Sequence, residues 1–260
     1  NCCRVRDFRR RRNLDTFGLV SALSASTLSS VGLRQFCKQG GNLVSASALC
    51  RARAKVPVVG MSTALRSFVD ANVSASKPRI FAVDSTKIRL PPRFEKEGVQ
   101  PRNAGASRPL LMCSTLFDVC ADVPYHMDIC THHNERTPLT TSHLDILHAG
   151  DTVVADRGYY STNVCRHLTS KNVNILLRVK TKASSEIFKF STSRRSERII
   201  NQDGMCLKCF KYTIGGEQYV LVASDIHMTL QRARSIYKSR WRIEEGFRRW
   251  KSDFHLTKNP

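Results

Sequence analysis

The rhythm of apolar and polar positions changes twice along the chain. Residues 15–75 are rich in Ala, Ser, Leu and Val and are broken at Gly40-Gly41. They fit short helices: one capped by Asp15 or Thr16 and running to about Leu33, one capped by Ser45 or Ser47 and running through Arg53, and one from Met61 to Val73. From residue 78 the pattern shortens to strands. Arg79–Asp84 is an apolar run ending in a carboxylate, and Lys87–Leu90 extends it to the stop at Pro91-Pro92. Pro109–Cys120 and Tyr125–Thr131 follow around the turn Asp122-Val-Pro124, which predicts a three-stranded antiparallel meander. Residues 93–108, basic and Gly-containing, read as an exposed loop.

Helices and strands then alternate. Thr137–His148 predicts a helix, Thr152–Asp156 a strand, Ser161 or Thr162 through Ser170 a helix, and Asn174–Val179 a strand. This order suits a mixed α/β sheet with helices on its faces. Residues 181–228 interrupt the alternation. Glu186–Phe190, Met205–Thr213 and Gln218–Ser224 read as strands joined by polar turns, an inserted small β subdomain. A long helix begins near Thr229. At about 100° per residue it places Tyr237, Arg240, Glu244 and Lys251 within a sector of roughly 60°. Ile243, Phe247, Trp250 and Phe254 form an apolar stripe beside that sector, while Lys238, Arg242, Glu245 and Arg249 point away.

Composition changes the picture in one respect. Across 260 residues, 42 Lys and Arg face 21 Asp and Glu, for a net charge of +21, while 41% of residues are hydrophobic. The chain has enough apolar surface for a core, and its charge points to a polyanion, most simply a nucleic acid. The arginine-rich start, residues 1–14, reads as an arm suited to phosphates. No apolar run is long enough to span a bilayer, and no secretory leader is evident, so no membrane partner is expected. Ten scattered cysteines without a leader suit a reduced compartment. Cys206-x-x-Cys209 has zinc-knuckle spacing but lacks a matching pair, with Cys130-x-His132-His133 the other conceivable contributor.

The candidate chemistry lies in three carboxylates. Asp84 sits on the first strand, Asp156 ends a later one, and Glu244 lies on the terminal helix. Each alone has a plain structural use: a strand-end Asp caps turns, and a helical Glu pairs with Arg240 or Arg248. Together, on two strands and a helix of one sheet, they could hold Mg²⁺ or Mn²⁺ against a phosphate. Two such ions would serve both the attacking and the leaving oxygen of phosphoryl transfer. Asp118, Asp128 and Asp225 are rival carboxylates that read as turn or cap residues.

The spacing Tyr237-x2-Arg240-x3-Glu244-x6-Lys251 resembles the signature of DDE transposases of the insertion-sequence-four type. Phe-Ala-Val-Asp84-Ser-Thr and Val-Val-Ala-Asp156-Arg-Gly-Tyr-Tyr-Ser resemble the two Asp motifs of that group, and an insertion before the last acid is also similar. The resemblance implies a ribonuclease-H-like core with a mixed five-stranded sheet flanked by helices, the inserted β subdomain at 181–228, and an N-terminal helical segment. Residues 1–75 would form the basic arm and helical region, and residues 76–260 the catalytic domain. The implied function is metal-dependent DNA cleavage at transposon ends and strand transfer into target DNA, with Asp84, Asp156 and Glu244 as catalytic residues holding two Mg²⁺ or Mn²⁺ ions. Tyr237, Arg240, Lys251, Trp241 and Arg157 would contact DNA, Trp241 by stacking on a flipped base. A homodimer on DNA is implied, in the bacterial cytoplasm near the nucleoid or in a eukaryotic nucleus. The alternatives are an inactive, DNA-binding transposase derivative or fragment, a related nuclease, and, on charge alone, an RNA-binding scaffold.

Overall fold

A computed structural model describes residues 45–53, 58–72, 78–90, 109–131 and 134–253. The chain falls into two compact units, one holding the helices up to Ala71 and the chain from Arg249, the other residues 72–248. In the first, α1 (Ala46–Arg53) opens on Ser45, whose hydroxyl accepts from the Ala48 N–H at 3.2 Å. α2 spans Val58–Asn72, beginning earlier than expected, and buries Val69. The basic arm, the helix expected to end near Leu33, the loop at 93–108, His132-His133 and Phe254 lie outside the described residues.

The larger unit is built on one sheet. Its strands are β1 (Ile80–Arg89), β2 (Leu110–Asp118), β3 (Val123–Cys130), β4 (Thr152–Ala155), β5 (Asn174–Arg178), β6 (Glu197–Gln202), β7 (Met205–Ile214) and β8 (Glu217–Ala223), in the order β3-β2-β1-β4-β5-β8-β7-β6. The first five form the expected core: β1, β2 and β3 make the antiparallel meander, and β4 and β5 add in parallel. The β insertion expected at 181–228 contributes β6, β7 and β8, and these join the main sheet. β8 pairs antiparallel with β5, Leu177 opposite Val222, so 181–228 extends the same sheet to eight strands. The reason is burial. Val220, Leu221, Val222 and Ala223 are successive buried residues, so β8 is covered on both faces, as only an interior strand is. Its pairing also protects the edge of β5.

Helices fill the connections. α3 (Arg136–Thr140) and α4 (Ser142–Ile146) replace the single helix expected over Thr137–His148, because the backbone turns out of helical geometry at Thr141, φ −129° and ψ −103°. α5 (Thr162–Ser170) is capped by Ser161, which accepts from the Val164 N–H at 3.2 Å, and packs beside β5. Glu186–Phe190, expected as strand, lies within α6 (Ser185–Thr192). Ser184 caps it by accepting from the Ile187 N–H at 3.3 Å, and Ile187 and Phe190 share its buried side at helical spacing. β6 gives no strand pattern in the sequence, because its only apolar residues, Ile199 and Ile200, are adjacent rather than alternating.

The long terminal helix is two helices, α7 (Leu230–Ser239) and α8 (Trp241–Asp253), meeting at Arg240. α7 is capped by Thr229, which accepts from the Arg232 N–H at 3.2 Å. Its Ala233, Ile236 and Tyr237 bury against Val154, Leu176, Phe210 and Leu221 of the sheet. The Arg242 guanidinium fastens the start of α8 to the turn after β2 by donating to the Val119 carbonyl. Leu176 is fully buried in this layer. Leu176→Ala is therefore expected to destabilise the chain by about 2–5 kcal/mol, read as a lowered urea midpoint with unchanged slope. A change below about 1 kcal/mol would show that α7 does not depend on this layer.

Candidate active site

β1 and β4 run parallel with Val83 opposite Ala155. The residues that follow, Asp84 within β1 and Asp156 just past the end of β4, therefore lie side by side on neighbouring strands, which are about 4.8 Å apart. The third acid comes from the helices. Because α7 lies across β4 and β5, the Tyr237 side chain emerges from the core beside Asp156. Its hydroxyl donates to Asp156 Oδ1 at 3.1 Å. At the junction Arg240 keeps helical dihedrals, φ −53° and ψ −31°, and its guanidinium reaches two of the acids. Nη2 donates to Glu244 Oε1 at 2.7 Å, and Nη1 lies 3.7 Å from Asp84 Oδ2. Asp156 is also close enough to attract it. Asp84, Asp156 and Glu244 thus gather around one buried guanidinium, although the helix expected to be continuous between Tyr237 and Glu244 is interrupted.

The electrostatics follow from burial. Asp84 has a carboxyl pushed up from 3.8 to about 6, chiefly by desolvation. The Ser85 N–H, donating at 2.8 Å, and Arg240 oppose the rise, while Glu244 and Glu135 add to it. Burial likewise holds the Tyr237 hydroxyl above its ordinary range, so it stays protonated and remains a donor to Asp156.

Two site neighbours were not legible in the sequence. Arg178, at the end of β5, lies 3.9 Å from Asp156, pairs with Glu217, and places its guanidinium 4.1 Å from the centre of the Tyr219 ring. Tyr219 in turn meets Tyr237 edge to face at 6.4 Å. Glu135, just ahead of α3, lies near Asp84 and beside the turn that follows Asp156. Only strand pairing and the α3 turn bring these residues to the site.

Of the other expected residues, Trp241 is 56% exposed beside Arg240, and Arg157 is exposed just after Asp156. Lys251 is half-buried on the last turn of α8 and falls in the smaller unit. The rival carboxylates have structural work. Asp118 accepts from the Cys120 and Ala121 N–H groups, Asp128 accepts from the Ser142 hydroxyl, and Asp225 accepts from the His227 N–H. Cys206 is exposed and Cys209 fully buried, on opposite faces of β7, which removes the zinc-knuckle geometry. Among the described residues, no three His, Cys, Asp or Glu groups stand within the reach of one ion. The acids around Arg240 nonetheless fit a hard divalent cation in kind. They are all oxygen donors, partly buried, and already arranged about a positive charge.

The profile of the transposase DDE domain family matches residues 75–260. The chain belongs to this family. Comparison with curated proteins finds no match. Among solved structures, the cryo-EM structure of piggyBac transposase in a synaptic complex with hairpin DNA is similar, with a TM-score of 0.50 and 11% identity over 94% of this chain. The chain spans 62% of the length of that protein. At this identity the likeness concerns the fold, which is ribonuclease-H-like in both. Endonuclease V of Ciona intestinalis, bound to a 24mer DNA containing an inosine followed by a ribo-adenosine, is also similar, at 14% identity over 73% of this chain and 96% of that one, with a TM-score of 0.31. No helix among the described residues of this transposase-family chain is long and apolar enough to cross a membrane.

Proposed function

We propose that this chain cuts DNA at the ends of a mobile element and joins the freed ends to target DNA. The observation that carries the reading is the convergence of Asp84, Asp156 and Glu244 on one guanidinium beside a sheet of the transposase DDE type. Asp84, Asp156 and Glu244 are the residues that would hold Mg²⁺ or Mn²⁺, as a pair of ions, and such ions supply activation of the attacking oxygen and stabilisation of the leaving one.

The chain's own groups do the rest. Tyr237 orients Asp156 through its hydrogen bond. Arg240 is placed to exchange a carboxylate for a phosphate oxygen, a charge-assisted bond of the same kind. Arg157, exposed after Asp156, would meet the backbone, and the exposed Trp241 ring would stack on an unpaired base. The net charge of +21 supplies attraction for the duplex that does not depend on its sequence. The piggyBac structure is a synaptic complex with hairpin DNA. By analogy, two copies of this chain would act together on paired ends, in a nucleoid or a nucleus.

The test is a duplex carrying the matching element end, incubated with Mg²⁺ or with EDTA. Mg²⁺-dependent nicks followed by joined products support transposition. Nicks without joining favour the nuclease reading, and tight binding with no cleavage favours an inactive derivative. Lys251→Ala should weaken DNA affinity and lower the slope of log K against log salt by about 0.9, the contribution of one phosphate contact. An unchanged slope removes Lys251 from the DNA-binding set.

A further inference from the structure

We infer that Glu135 is a fourth carboxylate of the same centre, holding a divalent cation there through the cation's water shell. This rests on the metal-holding reading above. Glu135 sits at the cap position of α3 but caps nothing: its side chain makes no hydrogen bond to the helix and, among the described residues, no ion pair. The neighbouring Arg136 forms no ion pair with it, and its Nε–H instead donates to the Gly158 carbonyl at 2.8 Å. That bond pins the start of α3 to the turn after Asp156, a turn closed by the Tyr159 N–H on the Asp156 carbonyl at 3.0 Å. As a result Glu135 Oε2 lies over the turn, 3.6 Å from where a Cβ on Gly158 would stand. A partly buried carboxylate without a counter-ion, set beside other acids, is unfavourable unless a cation joins them.

A second observation points to a ligand at this place. Tyr159 is 1% exposed, and its hydroxyl, set beside that of Ser85, lies within electrostatic reach of Asp84, Glu135 and Arg240. Both hydroxyls are buried and neither bonds a carboxylate, and Arg240 Nε is buried without a partner. Buried donor groups that bond no carboxylate, beside a Glu135 carboxylate that has no ion pair among the described residues, are complementary to a hydrated divalent ion or to phosphate oxygens on it. Direct chelation by all four acids does not fit, since no three of them stand at chelating distance. Mg²⁺ and Mn²⁺ commonly keep several waters, and a carboxylate reached through water satisfies that preference.

The experiment titrates Mn²⁺ into the chain without DNA, followed by calorimetry and by loss of the free-ion EPR signal. Glu135→Gln is expected to weaken Mn²⁺ binding about tenfold or more, the usual effect of losing a carboxylate that supports a metal site. Glu186→Gln, a remote surface control paired with Lys189, should leave it within about twofold of the native chain. Native affinity in Glu135→Gln overturns the inference. If that variant fails to fold, Tyr159→Phe decides by the same criterion, because it removes only the buried hydroxyl and should also weaken binding. Asp84→Asn separates the two levels. Loss of Mn²⁺ in Asp84→Asn with native binding in Glu135→Gln sinks this inference and leaves the metal reading standing. Native binding in Asp84→Asn, or none in the unaltered chain, sinks both.

Discussion

Asp84→Asn should abolish cleavage of an element-end duplex, lowering the rate at least about a thousandfold, or about 4 kcal/mol of transition-state stabilisation. The exchange keeps the shape of the side chain and its place on β1, so the register with β2 and β4 should survive. DNA affinity should change little, because the attraction of +21 charges does not pass through this carboxylate. Single-turnover nicking at saturating protein, read beside an electrophoretic shift, separates the two effects. Cleavage within tenfold of the native rate would remove Asp84 from the catalytic set and leave a nuclease centre elsewhere. Parallel loss of binding would mean that the exchange had damaged the fold instead.

The same exchange should stabilise the metal-free chain. The Asp84 carboxyl titrates at about 6, against an ordinary value of 3.8. Between pH 4 and 6 the folded chain therefore holds a proton that the unfolded chain has released. Raising the pH through that window withdraws stability, and by pH 7 the withdrawal is complete. The full shift corresponds to about 3 kcal/mol, a ceiling for a side chain that water still reaches in part. Asp84→Asn cannot ionise, so in EDTA at pH 7 it should melt several degrees above the native chain, and at pH 4 the two should nearly coincide. Saturating Mg²⁺ should close the gap at pH 7 by stabilising the native chain alone. Equal melting temperatures at pH 7 in EDTA would show that burial does not load this carboxyl with strain. Stability gained where activity is lost is the usual mark of a group held in place for function.

The sequence carried the fold where periodicity was strong. β1, β2, β3, β4 and β5 were legible because apolar runs were bounded by Pro, Gly and short polar turns, and the Ser161 and Thr229 caps announced their helices. It misled where an apolar run was short. Phe188, Lys189 and Phe190 alternate like a strand, yet the Ser184 cap and the buried pair Ile187 and Phe190 make a helix. Whether β6, β7 and β8 stand apart or join the main sheet depends on β8 finding the edge of β5, a long-range pairing that no local pattern encodes.

The site divides along the same line. Asp84, Asp156 and Glu244 could be named because apolar runs that meet a carboxylate, and helical spacing, point to them. The interruption at Arg240 could not, because Lys238, Ser239 and Trp241 give no Gly or Pro signal for it. Arg178 and Glu135 reach the centre only through the pairing of β5 with β8 and through the bond from Arg136 to Gly158. Residues of this kind, placed by tertiary contact, are ordinary Arg and Glu when met in a string of letters.

The placement of the last acid has a consequence for biosynthesis. The strands bearing Asp84 and Asp156 leave the ribosome well before α8, and the chain can pair them before Glu244 exists. A product cut short before Trp241 would keep every strand and most of the positive charge while lacking Glu244, which is at once the third carboxylate and the partner of Arg240 on α8. On the function proposed above, such a truncated chain would occupy DNA without cutting it and compete with intact copies for the same ends.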